Sequence, residues 1–344
     1  MLTNRNLGLD LMRLFAIYFV LIEHGGKNPF GDVLLGGLGV EIFFVLSGFL
    51  IGRIIIREFK DFKGYETFRH FWVNRWFRTL PLYYLALLVQ ILLSNKMEWG
   101  YLYYLVFLQN NFYGISLFPI SWSLVVEEWF YLGLPFVFFL FRVAFRKVSI
   151  IHLVVCVVLL LLIKGFVIYF RGIPFAGVNG NPLLRFDSML IGVILAMLYA
   201  NHKSVFLKMS GIVYFAIGLI LTIVLQYLVF YHFGISSLDK LVSFNSVYFL
   251  VQSVFIGLML PFLSESDIIN NGILKVSLLR KFITWTSILS YSFYLFHMNL
   301  FHLVQFFNLN DLTFYISLVV LYIFSYFIYL LYEKPMTDLR RKFT

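Results

Sequence analysis

The sequence predicts an all-α fold, a polytopic membrane helix bundle of about ten transmembrane helices with both termini cytoplasmic, and three observations carry that expectation. The first is composition: 61% of the 344 residues are hydrophobic, 20% aromatic and 13% charged, with a mean hydropathy of +0.88. Too little polar surface remains to cover a water-soluble core. The second is length. Ten apolar stretches, 8–25, 34–56, 79–95, 117–141, 150–170, 183–200, 211–231, 247–263, 285–306 and 312–332, can each cross a hydrocarbon core of about 30 Å with some tilt. The third is charge: with ten spans and the N-terminus inside, and with Arg53 at the inner end of the second span counted with the loop it opens, the 27 Lys and Arg residues fall 20 on the inner side, 4 on the outer side and 3 within spans, the bias that sets orientation. The net charge of +10 then belongs to inner loops facing anionic lipid and gives no reason to expect nucleic acid as a partner.

The first run has no small-residue cleavage site and reads as a retained span. Residues 1–344 are expected to form one domain, with no repeat, linker or soluble extracytoplasmic domain. The single cysteine, Cys156, lies in an apolar run, which excludes an intrachain disulfide and a Cys-based metal site. No metal is expected.

Each span carries its own signal. In the first, Asp10, Arg13, Glu23 and His24 interrupt an apolar helix. Arg13 and His24 are eleven residues apart, within about 20° on one helical face and roughly 16 Å apart along the axis. Asp10 points the same way. Either Asp10 and Arg13 are an ion pair at the membrane surface, with His24 merely at the far interface, or this face carries chemistry. The second span, GVEIFFVLSGFLIG from Gly39 to Gly52, buries Glu41, for which an Arg or His of the first helix is the economical partner. Its Ser47-Gly48 step allows close helix packing.

The loop that follows holds Arg53, Arg57, Lys60, Lys63, Arg69, Arg75 and Arg78. Arg75 and Arg78 share one helix face beside the interfacial anchors Trp76 and Phe77, a fork suited to phosphate oxygens, whether of a ligand or of lipid headgroups. The apolar piece Tyr101–Leu108 is too short to cross, and its sequel Gln109–Asn111 predicts a surface or re-entrant segment. The fourth span opens PISWSLVVEEWFYLGLP and includes Trp122. There Glu127 and Glu128 point about 100° apart, while Ser123, Glu127 and Tyr131 form one row. Lys164 in the fifth span is expected to snorkel outward, and Arg185 and Asp187 to mark the outer end of the sixth. These three read as structural. In the ninth span, Ser290, Tyr294 and His297 share a face, and His297 is a second candidate base.

In order along the chain, Arg13 to His24 with ten residues between, GVEIFFVLSGFLI, Arg75-x-x-Arg78, WSLVVEEWFYLGLP, SYSFYLFH and the closing YEKP from Tyr332 to Pro335 resemble acyltransferase family 3, bacterial integral membrane O-acyltransferases. The likeness runs from about Leu7 to Pro335. The resemblance implies transfer of an acyl group, commonly acetyl, from cytoplasmic acyl-CoA as co-substrate to a hydroxyl of a carbohydrate, lipid-linked glycan or other envelope acceptor. It places the chain in the bacterial plasma (inner) membrane, implies a catalytic histidine and arginines at the donor, and allows a separate extracytoplasmic partner protein.

The chemistry of a coenzyme A thioester matches these residues. A polyanionic nucleotide end calls for cations at the cytoplasmic surface, here Arg13, Arg75 and Arg78. The thioester calls for a base deeper in, here His24. His24 can act as general base, its other ring nitrogen held by a carboxylate from Glu41, Glu127 or Glu128, or as an acyl-accepting nucleophile. The rival reading is a transporter or polymer exporter, in which the intramembrane carboxylates and histidines form a pathway.

Overall fold

The computed structural model describes residues 5–26, 34–112, 114–234, 241–267, 269, 277–307 and 312–343. Lys27, Lys240 and Lys275 of the charge count lie outside the described residues. Among the described residues, every long element is a helix. We number them α1 Leu7–His24, α2 Leu35–Lys60, α3 Tyr65–Ser94, α4 Trp122–Phe145, α5 Ile150–Arg171, α6 Phe186–Asn201, α7 Ile212–Tyr227, α8 Val242–Glu265, α9 Ser277–Gln305 and α10 Leu312–Ile328.

Each predicted span coincides with one of these helices, but not all ten qualify alone as crossings. Seven are long and apolar enough to cross a membrane, α2, α3, α4, α5, α7, α8 and α10 with their flanking turns. The other three are α1, which carries Asp10, Arg13 and Glu23, α6, with only 16 residues, and α9, diluted by Ser, Thr, Tyr, His and Asn. Polar side chains dilute the apolar signal of α1 and α9, and shortness that of α6.

Two boundaries differ from the sequence expectation. Helix α3 starts fourteen residues before its predicted span, at Tyr65, because its N-terminal half is amphipathic and packs an aromatic stripe. The Phe68 and Trp72 rings lie 5.5 Å apart, and Trp72 stacks on Trp76 at 5.8 Å. Helix α9 likewise begins early, at Ser277. The segment between α3 and α4 breaks into short turns that fold back onto the bundle. Gln109 is fully buried there, donating to Tyr83 Oη at 3.4 Å and Ser121 Oγ at 3.2 Å.

Helix α1 lies against α2, α8 and α9, and α2 lies against α6. The α2–α6 seam is backbone against backbone: a β-carbon on Gly48 would come 2.0 Å from the Met189 carbonyl oxygen, and one on Gly192 2.2 Å from that of Val45. Small residues allow this approach and with it tight dispersion packing.

Around the same seam sit two buried ion pairs, and here the expectation for Lys164 is corrected. Lys164 does not snorkel. It is 1% exposed and donates to Asp187 Oδ2 at 2.5 Å. Arg185 and Asp187 stand at the start of α6 as expected, but they are as buried as Lys164, since a charge surrounded by helices costs least when it finds an opposite charge there.

Candidate active site

Helix α1 presents its polar face to α9 and α3. Asp10 is held by Arg5, through Nη2 at 2.5 Å and Nε at 2.9 Å, and accepts from Ser287 Oγ of α9 at 2.6 Å. One turn on, Arg13 Nη1 is 3.6 Å from the same carboxylate. The surface ion pair imagined for Asp10 and Arg13 is thus a four-residue cluster of Arg5, Asp10, Arg13 and Ser287 joining α1 to α9, and it fixes the Arg13 guanidinium at a cleft.

Arg13, Arg75 and Arg78 line that cleft together with Ser47, Thr79, Ser123, Glu127, Ser287, Ser290, Tyr291, Tyr294 and Glu333. The one-turn spacing of Arg75 and Arg78 brings both guanidiniums to the same side of α3. Arg75 is the more embedded. It lies 4.1 Å over the Tyr131 ring, donates to the Tyr131 hydroxyl, and stands 3.8 Å from Glu127 Oε2. The Tyr131 hydroxyl also pairs with Ser47 Oγ, so α2, α3 and α4 meet at one phenol. Arg78 is exposed. Glu128 turns away from the cleft, as its 100° offset from Glu127 requires, and accepts from Thr79 Oγ1 at 2.9 Å. Ser123 Oγ meets Tyr294 Oη at 2.6 Å across the α4–α9 seam.

Beyond Tyr294 and Phe43, whose rings lie 6.5 Å apart, the two histidines meet. His297 Nε2 is 3.1 Å from His24 Nδ1, with ring centroids 4.9 Å apart. His297 is fully buried, and its Nδ1 lies 2.9 Å from the Tyr294 carbonyl oxygen and 3.1 Å from that of Phe293. His24, at the end of α1, is exposed.

Two expectations are corrected at this point. The group on the second ring nitrogen of His24 is a histidine, not a carboxylate. Glu41 does not take its partner from α1 either. It is 2% exposed, accepts from Arg185 Nη2 at 2.5 Å and Ser253 Oγ at 2.8 Å, and also from Ser188 Oγ. Glu41 therefore belongs to the α2–α6–α8 junction, where Arg185 can lie 3.6 Å over the Phe249 ring. Glu127 is in the cleft with Arg75 and Glu128 with Thr79. Trp122 packs edge-on to Phe44 at 6.2 Å, behind the cleft wall.

Sequence reasoning passed over Thr79, Ser287, Tyr291 and Glu333 in the cleft. Ser287 continues the row of Ser290 and Tyr294 at helical spacing, a signal that could have found it. Glu333 stands in the YEKP motif, whose Tyr332 donates to the Pro81 carbonyl at 3.2 Å and so ties the motif to α3. Among the described residues no group of three or more His, Cys, Asp or Glu could hold a metal ion.

Comparison with known proteins identifies a family. The profile of the family described as "Acyltransferase domain" matches residues 6–332. A Staphylococcus aureus (strain COL) protein named "Putative O-acetyltransferase SACOL0978" is 30% identical over 238 residues, covering 57% of this chain and 35% of the relative. The protein named "O-acetyltransferase OatA" of Staphylococcus aureus (strain NCTC 8325 / PS 47) is 29% identical over 212 residues, covering 56% of this chain and 34% of the relative. The match thus spans about a third of the length of these relatives. No solved structure matches.

Proposed function

The chain belongs to the acyltransferase family whose profile covers residues 6–332, and from that premise we propose that it is a bacterial plasma-membrane O-acetyltransferase. It moves an acetyl group from cytoplasmic acetyl-coenzyme A to a hydroxyl of a carbohydrate or other envelope-linked acceptor. The observation that supports this reading is the polarity of the cleft. Arg13, Arg75 and Arg78 line one polar cleft, and the same cleft is walled by Tyr294, one helical turn from His297 and the His24 ring.

A coenzyme A thioester has this polarity too, phosphates at one end and the acyl group at the other. The cleft, about 150 Å³, is smaller than the roughly 300–1,000 Å³ of sites that enclose a whole ligand. It suits an extended pantetheine arm, with the nucleotide left at the cytoplasmic surface. Arg78 and Arg75 offer the phosphates charge-assisted hydrogen bonds. Arg13, fixed by Asp10, adds a third cation farther along.

At the other end His24 takes the proton of the acceptor hydroxyl as its oxygen attacks the thioester carbonyl. The carbon–oxygen bond forms, the carbon–sulfur bond breaks, and the thiolate leaves with that proton. Because His24 is exposed at the end of α1, the acceptor reaches it from the outer face while the donor stays on the inner. Acyl relay through a His24 acyl-imidazole uses the same placement.

The test is acetyl-coenzyme A consumption by purified protein in detergent, with free thiol as readout. Thiol release that needs the protein and disappears in His24→Ala, with yield and thermal stability kept, is the expected outcome. A protein that releases no thiol in detergent and moves substrate only across a sealed bilayer would be a transporter instead.

A further inference from the structure

The two histidines do more than lie close together. His297 Nδ1 faces two backbone carbonyl oxygens, of Tyr294 at 2.9 Å and Phe293 at 3.1 Å. A carbonyl oxygen only accepts, so Nδ1 of His297 must carry the hydrogen, and Nε2 of the neutral ring is left as a bare lone pair. That lone pair points at His24 Nδ1 from 3.1 Å. The other neighbour of His24 Nδ1 is the Val20 carbonyl oxygen, also at 3.1 Å. With an acceptor on each side, His24 Nδ1 must in turn be the donor, and the Nε2 of His24 is left unprotonated. Among the described residues nothing hydrogen-bonds that Nε2, and the ring is exposed.

We propose that His297 is a positioning residue that sets the His24 tautomer: a chain of two imidazoles, anchored on the α9 backbone, holds the proton on Nδ1 of His24 and presents Nε2 to the acceptor hydroxyl. The catalytic consequence rests on the function proposed above, whereas the ring assignment does not. As the acceptor proton arrives on Nε2, the imidazolium that forms keeps its Nδ1–H bond to the His297 lone pair. The His297 Nδ1–H bonds to carbonyl oxygens make that lone pair a better acceptor. The anchoring role given to a carboxylate in the familiar triads is taken here by a neutral ring. This suits the site, because His297 is fully buried and a carboxylate there would need a cation of its own.

The experiment is nitrogen NMR of protein labelled on the histidine rings, reconstituted in detergent micelles, with the His24 signals assigned by their loss in His24→Gln. The seven histidines of the chain keep the spectrum tractable. In the unsubstituted protein the expected result is a protonated Nδ1 and a bare Nε2 on His24. A protonated Nε2 would overturn the proposal, and this readout requires no enzyme activity.

Three variants extend it. His297→Leu removes one of the two acceptors at His24 Nδ1 and leaves only the Val20 carbonyl oxygen at 3.1 Å. His24 should then populate the other tautomer, with kcat down by about 100-fold or more and the donor KM changed less than about threefold. His297→Gln keeps an acceptor oxygen and should restore at least about a tenth of the lost rate. Equal rates in the Leu and Gln variants, or an unchanged His24 tautomer in the Leu variant, would overturn the positioning role. If His24 shows the expected tautomer and His24→Ala still transfers acetyl at the full rate, the ring assignment stands and the functional reading fails instead.

Discussion

Arg75 and Arg78 stand one turn apart on α3 and line the same cleft, yet their loss should have different consequences. Arg75 is tied to Tyr131 by a hydrogen bond and a ring contact, with Glu127 at 3.8 Å, so removing it strands a carboxylate and a phenol that join three helices. Arg78 is exposed and can be removed more cleanly. Arg78→Ala should therefore raise the donor KM by about 10- to 100-fold, the worth of a charge-assisted hydrogen bond of about 1.5–3 kcal/mol, with thermal stability unchanged. Arg78→Lys should fall between, keeping the charge but losing the fork. Arg75→Ala should weaken the donor and also lower the melting temperature. Donor titration and thermal unfolding of the three variants check this, and equal donor affinity in Arg78→Ala and the unsubstituted protein would return Arg78 to a lipid-headgroup role. The arginine pair could be read from the sequence because helix periodicity alone sets the shared face. The His24–His297 contact could not, because 273 residues separate the rings and no local period encodes which distant helix meets α1.

At the scale of helices, the α2–α6 seam combines two demands that sequence pattern separates. Gly48 and Gly192 allow backbone contact, and Glu41 must find a cation in the space so created. The small-residue signal at Ser47-Gly48 was legible, but the partner was not. Arg185 reads as an interfacial residue at the start of an apolar run, and only the packing of α2 on α6 carries it to Glu41 at 2.5 Å. Gly48→Val should destabilise by about 1–3 kcal/mol or more, because its side chain would have to enter the space of the Met189 carbonyl. Detergent melting curves and folded yield are the measures. For the ion pair, removal of one partner leaves a buried charge. Arg185→Leu should thus cost about 3–5 kcal/mol, and the double variant Glu41→Leu with Arg185→Leu should recover much of that loss. A double variant as unstable as the single one would mean that the pair contributes packing and not charge compensation.

For the whole molecule, the ten predicted spans fall on the ten long helices, since apolar length is a local property. Of the three helices that do not qualify alone, α1 and α9 carry Asp10, Arg13 and both histidines and α6 begins just after the Glu41 partner Arg185, while α2, α3 and α4 supply Ser47, Arg75, Arg78 and Glu127 to the same cleft. Polar residues that weaken a span by composition are what a bundle spends on chemistry, so the local signal for crossing fails at α1 and α9, where the two histidines meet. The arrangement also separates two groups along the helices: Arg75 and Arg78 of α3 line a cleft with Arg13 in the first half of α1, and His24 closes the other end of α1. This gives a sidedness prediction. Reporters fused after Thr344 and inserted at Asn179 fix the orientation, expected as cytoplasmic and external respectively. With sealed proteoliposomes of known orientation, acetyl-coenzyme A, too polar to cross the bilayer, should support transfer only when supplied on the side of Arg75 and Arg78. A soluble glycan acceptor should react only from the side of His24. A catalytic site confined to one membrane face would instead give transfer with both substrates on that same side and none with them separated, and the cleft would then be a donor pocket that ends before His24.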